Sequence, residues 1–320
     1  MNSKKTLIVS HAPFWHDGSG IPERSYHTII AALPAALVGI AFYGAPALGV
    51  ISLAMSSAIL WELLFNYASK RPITVGNGNA ALIGLLLAML LPASVPWWLV
   101  VVGTFLAIVM GIQMFGGIGA NPFNPVALAI AILAVSYTHH LDFDAGLVNF
   151  TLDFPSVTDP LADLKAFGPS AIEHLNPVDL LMGRQVGGLG ATSGLALAIG
   201  GTYLILRGII RWEISVAFIA GLFITAALFN MADPTRYASP VFHLLTGYTL
   251  FGAFFLATDS SSSPVNVVPM LLFGTLGGVM TVLIRNIGAY VDGVIFAILL
   301  INLINPLVDK IRPKAIGKVA

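Results

Sequence analysis

Residues 96–115 read PWWLVVVGTFLAIVMGIQMF and contain no charged side chain. An α-helix of this length rises about 30 Å, which is the thickness of the hydrocarbon core of a bilayer. Over the whole chain, 57% of the residues are hydrophobic and 9% are charged, whereas soluble domains carry about 25% charged residues. The sequence therefore predicts an integral membrane protein whose spanning segments are α-helical.

Nine other apolar segments accompany this one along the chain. They cover 28–45, 48–67, 79–91, 122–138, 191–208, 212–231, 244–257, 266–285 and 289–307. Polar residues, glycine or proline bound each of them, and most have the length of a membrane span. The sequence predicts an all-α integral membrane fold with ten transmembrane helices.

The two halves of the chain resemble each other. Gly103-Thr104 recurs as Gly274-Thr275, and at the same offset Asn121 meets Asp292. A repeated unit of five spans is odd-numbered, so its second copy must cross the membrane in the opposite direction. The predicted parts are an N-terminal five-helix repeat (1–138), an extracytoplasmic loop (139–190) and a C-terminal five-helix repeat (191–320), with the two repeats inverted.

Basic residues fall mainly on one side of the predicted spans. With the N-terminus inside, eleven of the 15 lysines and arginines are cytoplasmic. These eleven are Lys4, Lys5, Arg24, Lys70, Arg71, Arg207, Arg211, Lys310, Arg312, Lys314 and Lys318. The bias predicts a multi-pass membrane protein with both termini cytoplasmic and the 139–190 loop outside.

Two predicted segments in corresponding places are too short to span a bilayer. At 1.5 Å per residue, 79–91 reaches about 20 Å and 244–257 about 21 Å. Paired short helices in the two halves of a repeat indicate a site near the membrane midplane. Helix ends there offer unpaired backbone groups to a polar ligand or an ion.

Three side chains near the short segments are candidates for binding a ligand or an ion. Asn121 and Asn124 lie in the sequence NPFNP (121–125), where two prolines interrupt regular helix. These amides either cap a helix at the membrane surface or face a ligand. Asp259 follows the second short segment, and it either belongs to an ion path or caps the next helix.

Other polar residues are expected to have structural roles. Arg285 and Asp292 bracket a turn and are expected to pair, while 187–190 is expected to be a turn into the sixth span. The chain has no cysteine, which excludes thiolate metal sites and cysteine nucleophiles. The net charge is zero, so no nucleic-acid surface is expected, and neither a catalytic constellation nor a metal site is predicted.

Several blocks of sequence are similar to those of a known family. They are Ser10-His11-Ala12-Pro13-Phe14, 121–125 after Gly116-Gly117, 254–259, Leu283-Ile284-Arg285, Asp292-Gly293 and 296–300. In this order and spacing they resemble the RnfD component of the Rnf electron-transport complex and its relative, the NqrB component of the Na⁺-translocating NADH:quinone reductase. The resemblance covers almost the whole chain.

The resemblance implies a subunit of the bacterial or archaeal cytoplasmic (inner) membrane, with a fold related to urea channels. Such a subunit carries electrons through bound flavin, couples them to Na⁺ or H⁺ translocation, and works with other membrane, flavin or iron–sulfur subunits. The resemblance also implies two flavins. One is riboflavin or FMN held non-covalently within the membrane domain, where Asn121 and Asn124 are the residues expected to contact it. The other is FMN joined by a phosphoester to a threonine of the outer loop.

The chain departs from the family's attachment motif, which reads roughly Asp-x-x-Ser/Thr-x-Ala-Thr. Asp153 and Ser156 match its start, Pro160-Leu161 match the residues that often follow it, and the alanine is absent. Without a gap the threonine position falls on Asp159, and with one residue deleted it falls on Thr158. Either Thr158 carries covalent FMN, or the outer flavin is lost and the inner flavin remains.

A function of a different class fits the same architecture, namely a passive channel or transporter for a small polar solute. Such a protein would be colourless and would act alone, whereas a flavin-carrying component would be yellow and would need partners. The family blocks favour the redox function.

Overall fold

A computed structural model describes residues 20–141, 143 and 159–311. Within these ranges the regular structure is helical and contains no β-strand. The helices are α1 (Ile21–Tyr43), α2 (Ala45–Ala68), α3 (Asn79–Leu90), α4 (Trp97–Phe105), α5 (Pro125–Ser136), α6 (Pro160–Phe167), α7 (Pro177–Met182), α8 (Gly194–Leu206), α9 (Trp212–Ala232), α10 (Pro240–Leu245), α11 (Thr249–Phe251), α12 (Val267–Asn286) and α13 (Val294–Val308). Two of them continue as π-helical turns, α4 through Leu106–Met110 and α11 through Gly252–Leu256.

Five helices are long and apolar enough to cross a membrane. They are Ile21–Tyr43, Ala45–Ala68, Trp97–Phe115, Trp212–Ala232 and Val267–Asn286. Helices α3, α5, α8 and α13 are also apolar but shorter. The predicted all-α class is confirmed, and each of the ten predicted segments contains a helix.

Some helix ends differ from the predicted ones for local reasons. Helix α1 begins at Ile21 rather than at 28, because Pro22 stands in its first turn and Glu23 complements the positive end of the helix dipole. Helix α5 begins at Pro125 rather than at 122, because Asn124 caps it. Proline and capping residues therefore set where these two helices start, and hydropathy does not detect such signals.

The predicted segment 244–257 is wrong as a single helix, because the chain breaks between α10 and α11. Gly247 has a φ of 61°, in the left-handed region that favours glycine. A Cβ at this position would lie 2.4 Å from Asp292 Oδ2 and 2.8 Å from Arg285 Nη2. The break thus brings the backbone against a buried ion pair, and a side chain has no room there.

The outer loop, predicted only as a polar loop, contains two short helices. Asp159 caps α6 and Asn176 caps α7 through their side-chain oxygens. A small apolar cluster connects this region to α10 and is separate from the main core. Its buried members are Leu161, Leu180, Ala238 and Phe242.

Hydrogen-bond donors from later in the chain bind the carbonyl oxygens at the C-terminal end of α3. Gly190 N donates to Met89 O at 2.9 Å, Leu189 N donates to Leu91 O at 3.0 Å, and Tyr248 Oη donates to Leu90 O at 2.8 Å. The glycine-rich stretch 187–190 is a turn before α8, as predicted, and its close approach to α3 explains its composition. A Cβ on Gly188 would lie 2.6 Å from Met89 O.

Candidate functional site

A cavity of about 240 Å³ lies between α1, α3, α5 and the end of α11. Its apolar wall contains Leu82, Ile83, Leu86, Ile112, Phe254 and Phe255. Its polar wall contains Asn79, Asn121, Asn124, Thr258, Asp259 and Ser261. We call it the inner cavity; it brings together Asn121, Asn124 and Asp259, the three candidates from the sequence that lie within the described ranges.

Asn124 joins three helices at the inner cavity. Its Oδ1 accepts hydrogen bonds from Val126 N and Ala127 N, both at 3.0 Å, and so caps α5. Its Nδ2 donates to Leu256 O at 2.9 Å, and its backbone N donates to Asn302 Oδ1 at 3.0 Å. Both alternatives from the sequence apply to this residue, because it caps a helix and also lines the cavity.

Asn121 and Asp259 form the polar edge of the inner cavity. Asn121 Nδ2 donates to Phe123 O at 3.0 Å and to Asp259 Oδ2 at 3.3 Å. The Ser261 hydroxyl lies 2.8 Å from Asn121 Oδ1 and 2.9 Å from Asp259 Oδ2, and it can donate to one of them at a time. An amide, a hydroxyl and a carboxylate therefore form one connected network.

Asp259 stabilises the turn that follows it rather than the next helix. Its Oδ2 also accepts from Ser262 N at 3.2 Å and Ser262 Oγ at 2.9 Å. Helix α12 begins later and has Asn266 at its cap position, so the alternative in which Asp259 caps that helix is wrong. Among the described residues no hydrogen bond reaches Asp259 Oδ1, which leaves this oxygen for a ligand.

Arg24 is a cavity residue that sequence reasoning missed. It lines the inner cavity, and its guanidinium donates to Ile209 O at 3.2 Å. Its position within the first turn of α1 was not predicted, because that helix was expected to begin at 28. Within the described part of the chain, the lining of the inner cavity thus includes one cationic and one anionic side chain.

The lining of the inner cavity combines apolar side chains with a few hydrogen-bonding groups. Ligand pockets are typically apolar with a few placed hydrogen-bonding groups. Here the lining contains leucine, isoleucine and phenylalanine side chains together with two buried amides and a carboxylate. The isoalloxazine of a flavin has this combination of an apolar ring and polar edge atoms.

A second cavity, of about 300 Å³, lies beneath the outer loop. Its lining includes Asp159, Leu161, Gly188, Tyr248, Tyr290 and Asp292. We call it the outer cavity. Tyr248 contributes to its wall and donates a hydrogen bond to Leu90 O. The sequence analysis missed this residue, and Gly247, which precedes it at the helix break, was the available signal.

Thr158 lies outside the described residues. Asp159, which follows it, lines the outer cavity and accepts hydrogen bonds from Leu161 N at 3.1 Å and Ala162 N at 3.2 Å. Its Oδ1 therefore caps α6. A carboxylate cannot carry a flavin phosphoester, so an attachment point in this stretch requires a hydroxyl residue.

The predicted pairing of Arg285 with Asp292 is confirmed. Arg285 Nη2 lies 2.9 Å from Asp292 Oδ1, and the side chain of Arg285 is almost fully buried. The guanidinium also donates to His243 O at 2.8 Å, Thr246 O at 3.2 Å and Thr249 Oγ1 at 2.9 Å. These acceptors flank the break between α10 and α11, so the pair replaces the backbone donors that the break removes.

Asp292 and Asn124 each accept a hydrogen bond from the first turn of the last helix of their half, but only Asn124 is the N-cap of its helix. Asp292 Oδ1 accepts from Val294 N at 3.0 Å, at the start of α13, while Asn124 Oδ1 accepts from Val126 N at the start of α5. The sequence offset pairs Asp292 with Asn121 instead, and Gly293 rather than Asp292 stands at the cap position of α13.

Lys165 connects the outer loop to the turn after α12. Its ammonium donates to Gly288 O at 2.7 Å and also to Tyr290 O. Partial burial lowers the pKa of Lys165. The two carbonyl oxygens replace part of the hydration that the ammonium loses.

About one helical turn separates the two cavities. On α3, Leu86 lines the inner cavity and Leu90 the outer one; on α5, the corresponding residues are Val126 and Ile130. Four residues of helix rise about 6 Å. A group in one cavity would therefore lie close to a group in the other.

Comparison with protein families gives one match across nearly the whole chain. The model described as "NQR2, RnfD, RnfE family" matches residues 8–317. The chain is 34% identical over 330 residues to the D component of the ion-translocating oxidoreductase complex of Halorhodospira halophila, covering 93% of this chain and 92% of the relative.

Two further relatives have names that state the ion translocated. The chain is 33% identical to the D component of the proton-translocating ferredoxin:NAD(+) oxidoreductase complex of Clostridium ljungdahlii, over 96% of this chain and 95% of the relative. It is 35% identical to the D component of the Na(+)-translocating ferredoxin:NAD(+) oxidoreductase complex of Acetobacterium woodii, over 97% of this chain and 95% of the relative.

Proposed function

Because the chain belongs to the NQR2, RnfD, RnfE family, we propose that it is the RnfD component of an Rnf-type ion-translocating redox complex. In this role it carries electrons through bound flavin and couples their passage to translocation of Na⁺ or H⁺. The observation that carries the proposal is identity of 33–35% to such components over more than nine-tenths of the chain. The two cavities a helical turn apart are consistent with it.

The proposal includes ten membrane spans arranged as two inverted five-helix repeats. Helices within all ten predicted segments support it. Both termini are cytoplasmic in this arrangement, and the region with α6 and α7 faces outward in the cytoplasmic membrane. The other membrane and electron-carrying subunits of the complex are its partners.

The inner cavity is the proposed site of a non-covalent flavin, riboflavin or FMN. A bound flavin would supply the electron-carrying group. Asn121 and Asn124 hold the polar wall in place through bonds to Phe123 O, Leu256 O and the first amides of α5. The apolar wall excludes water, which strengthens polar contacts to the ring edge.

Thr158 is the proposed attachment point of a covalent FMN in the outer cavity. It is adjacent to Asp159, which lines that cavity and caps α6. Asp159 has no hydroxyl group and therefore cannot form the flavin phosphoester itself. The competing form of the proposal is a protein that has only the inner flavin.

Asp259 is the proposed ion-path residue. Its Oδ2 is held by Asn121 and Ser262, while Oδ1 takes no hydrogen bond within the described part of the chain. A carboxylate oxygen near a half-helix end is suited to receive Na⁺ or a proton.

A passive channel is the less favoured function. Leu87 and Phe251 lie between the residues that line the two cavities along α3 and α11, and both are fully buried. An apolar barrier of about one turn opposes the passage of a polar solute, whereas electrons can cross a barrier of that thickness.

The function is tested by purifying the chain from its native membrane under mild conditions. We expect a yellow preparation that contains other subunits of a redox complex and that transports Na⁺ or H⁺ in proteoliposomes when supplied with an electron donor and acceptor. A colourless chain that purifies alone and passes a polar solute without redox substrates would contradict the proposal.

A further inference from the structure

Two helices begin at the inner cavity with a glycine at the cap position. Arg24 in the first turn of α1 and Asn79 in the first turn of α3 both line this cavity. The caps are Gly20 and Gly78, so neither cap residue has a side chain to bind the first amides of its helix. Asn77 Oδ1 accepts from Asn79 N alone. The positive ends of two helix dipoles therefore lie at one end of the cavity, an arrangement that favours an anion.

The turn before α3 holds the two helix starts together. Tyr26 Oη in α1 donates to Gly76 O at 3.2 Å. Gly78 has a φ of 72°, in the left-handed region, and a Cβ on it would lie 3.2 Å from the ring of Tyr26. The ring thus packs on the glycine cap of α3. These contacts give the two helix starts a defined relative position, as a preformed binding site requires.

Arg24 and Ser25 supply side-chain donors at the same end of the inner cavity. Arg24 is exposed and donates to Ile209 O, but a guanidinium has five N–H donors and so retains others for a ligand. Ser25 lines the cavity and is only 3% exposed. Within the described part of the chain its hydroxyl takes part in no hydrogen bond. A buried hydroxyl without a protein partner calls for a ligand or a water molecule, because leaving it unpaired is costly.

The nearby carboxylates do not neutralise Arg24. Glu23 precedes it but does not line the cavity, and Glu23 Oε1 lies 3.9 Å from His27 Nε2. Asp259 lines the cavity and accepts from Asn121, and among the described residues no ion pair joins it to Arg24. The lining therefore contains a cation that no carboxylate of the same lining compensates.

We infer that the α1 end of the inner cavity is a phosphate subsite, formed by the Arg24 guanidinium, the Ser25 hydroxyl and the first-turn amides of α1 and α3. Phosphate oxygens accept several hydrogen bonds and suit both arginine and helix N-termini. The phosphate belongs either to the ligand in the cavity, which would then be FMN rather than riboflavin, or to the headgroup of an anionic phospholipid. Only the first source rests on the proposed flavin function.

The flavin source is tested on the purified full-length chain in phosphatidylcholine nanodiscs, after removal of non-covalent flavin. Quenching of flavin fluorescence gives the dissociation constants of FMN and riboflavin. We expect FMN to bind at least about tenfold more tightly, because hydrogen bonds to charged groups contribute that factor or more. Arg24→Gln should remove the preference and leave riboflavin binding unchanged, which also shows that the cavity is intact. Arg24→Lys keeps the charge and should retain part of the preference.

The lipid source is tested on the same flavin-free chain through its thermal midpoint. Nanodiscs of phosphatidylcholine alone are compared with nanodiscs that also contain phosphatidylglycerol. If a lipid headgroup occupies the subsite, phosphatidylglycerol raises the midpoint and Arg24→Gln abolishes the rise. Arg211→Gln is the matched control in both experiments, because Arg211 is an exposed arginine that follows Ile210 of the lining but does not itself line the cavity.

An FMN preference or a phosphatidylglycerol effect that requires Arg24 and not Arg211 supports the subsite and identifies the source of the phosphate. The inference is overturned when neither effect depends on Arg24. It is also overturned when Arg211→Gln acts as strongly as Arg24→Gln, since the charge would then act from the surface. Binding of neither flavin would reject the inner flavin of the proposed function, and the lipid comparison alone would then decide the subsite.

Discussion

Asn121 and Asp259 stand 138 positions apart in the chain, and the Nδ2 atom of Asn121 lies 3.3 Å from the Oδ2 atom of Asp259. One residue precedes α5 and the other follows the π-helical end of α11. Their contact connects the two halves of the chain at the edge of the inner cavity. A substitution of either residue therefore changes both the lining of the inner cavity and a contact between the two halves.

Asn121→Leu is expected to remove the inner flavin. The substitution deletes the amide that lines the cavity while keeping a side chain of similar size. We expect the extractable non-covalent flavin to fall about tenfold or more, since polar atoms of the buried flavin would lose the Asn121 amide as a hydrogen-bond partner. Flavin per protein in acid extracts is the measurement. Gln113→Leu is the matched control, because Gln113 is also a buried amide but does not line the cavity; equal losses in both variants would contradict the assignment.

Asp259→Asn is expected to reduce ion translocation more than protein level. Asparagine retains an oxygen that can accept from Ser262 N, but it has no charge to hold a cation or proton. We expect translocation per mole of complex in proteoliposomes to fall about tenfold. Ser262→Ala removes one hydrogen bond to Asp259 and keeps the carboxylate, so its translocation should stay near normal. A parallel fall of protein level and translocation would mean that Asp259 only stabilises its turn.

Arg285→Met is expected to destabilise the protein strongly. It leaves the carboxylate of Asp292 without its partner and removes the donors to His243 O and Thr246 O at the helix break. Breaking a buried ion pair costs about 3–5 kcal/mol. Arg184→Met is the comparison, because the Arg184–Asp179 pair is 44% and 41% exposed and such pairs contribute about 0–1 kcal/mol. Equal lowering of the thermal midpoint by the two variants in detergent would refute this role.

Thr158→Val is expected to abolish covalent flavin while leaving the inner flavin in place. Valine has the shape of threonine and lacks the hydroxyl that a phosphoester requires. Ultraviolet fluorescence of the acid-denatured band, with mass spectrometry of 139–190, is the measurement. Asp159→Asn should remain fluorescent, because asparagine can also cap α6. A dark band from yellow wild-type protein would show that this chain has no outer flavin.

Ser170→Cys is expected to react with a membrane-impermeant thiol reagent in intact cells. The positive-inside bias predicts that the outer loop lies on the far side of the membrane from both termini. Ser69→Cys lies in an exposed turn that the proposed orientation puts in the cytoplasm, so it should react only after permeabilisation. The reverse pattern of labelling would invert the predicted orientation.

Long apolar helices were predictable because composition alone decides them. The run 96–115 contains no charge, and the structure has helix from Trp97 to Phe115, including a π-helical turn. The break at Thr246–Tyr248 was not predictable as a break, because the sequence on both sides is equally apolar. Gly247 was its one sign, and its reason is the ion pair that packs against it from a distant part of the chain.

The candidate site was predictable as a set of residue types and not as a network. Asn121, Asn124 and Asp259 were identified because prolines, amides and an acid near short helices are unusual in apolar sequence. Their contacts to Leu256 O and Ser261 depend on how the two halves meet, which local sequence does not encode. Arg24 was missed for the same reason, since its role requires the position of Ile209.

The capped end of α3 has a consequence for biogenesis. Met89, Leu90 and Leu91 leave the ribosome about 100 to 160 residues before Gly190, Leu189 and Tyr248, which later bind their carbonyl oxygens. Until then these carbonyl oxygens have no protein donor and must either bind water or remain unpaired. They lie at the end of a helix too short to span the bilayer, where an unpaired group costs several kcal/mol in lipid. The first half therefore cannot settle in its final position before the second is synthesised. When the two halves are made as separate chains, the first should persist only if the second is made in the same cell.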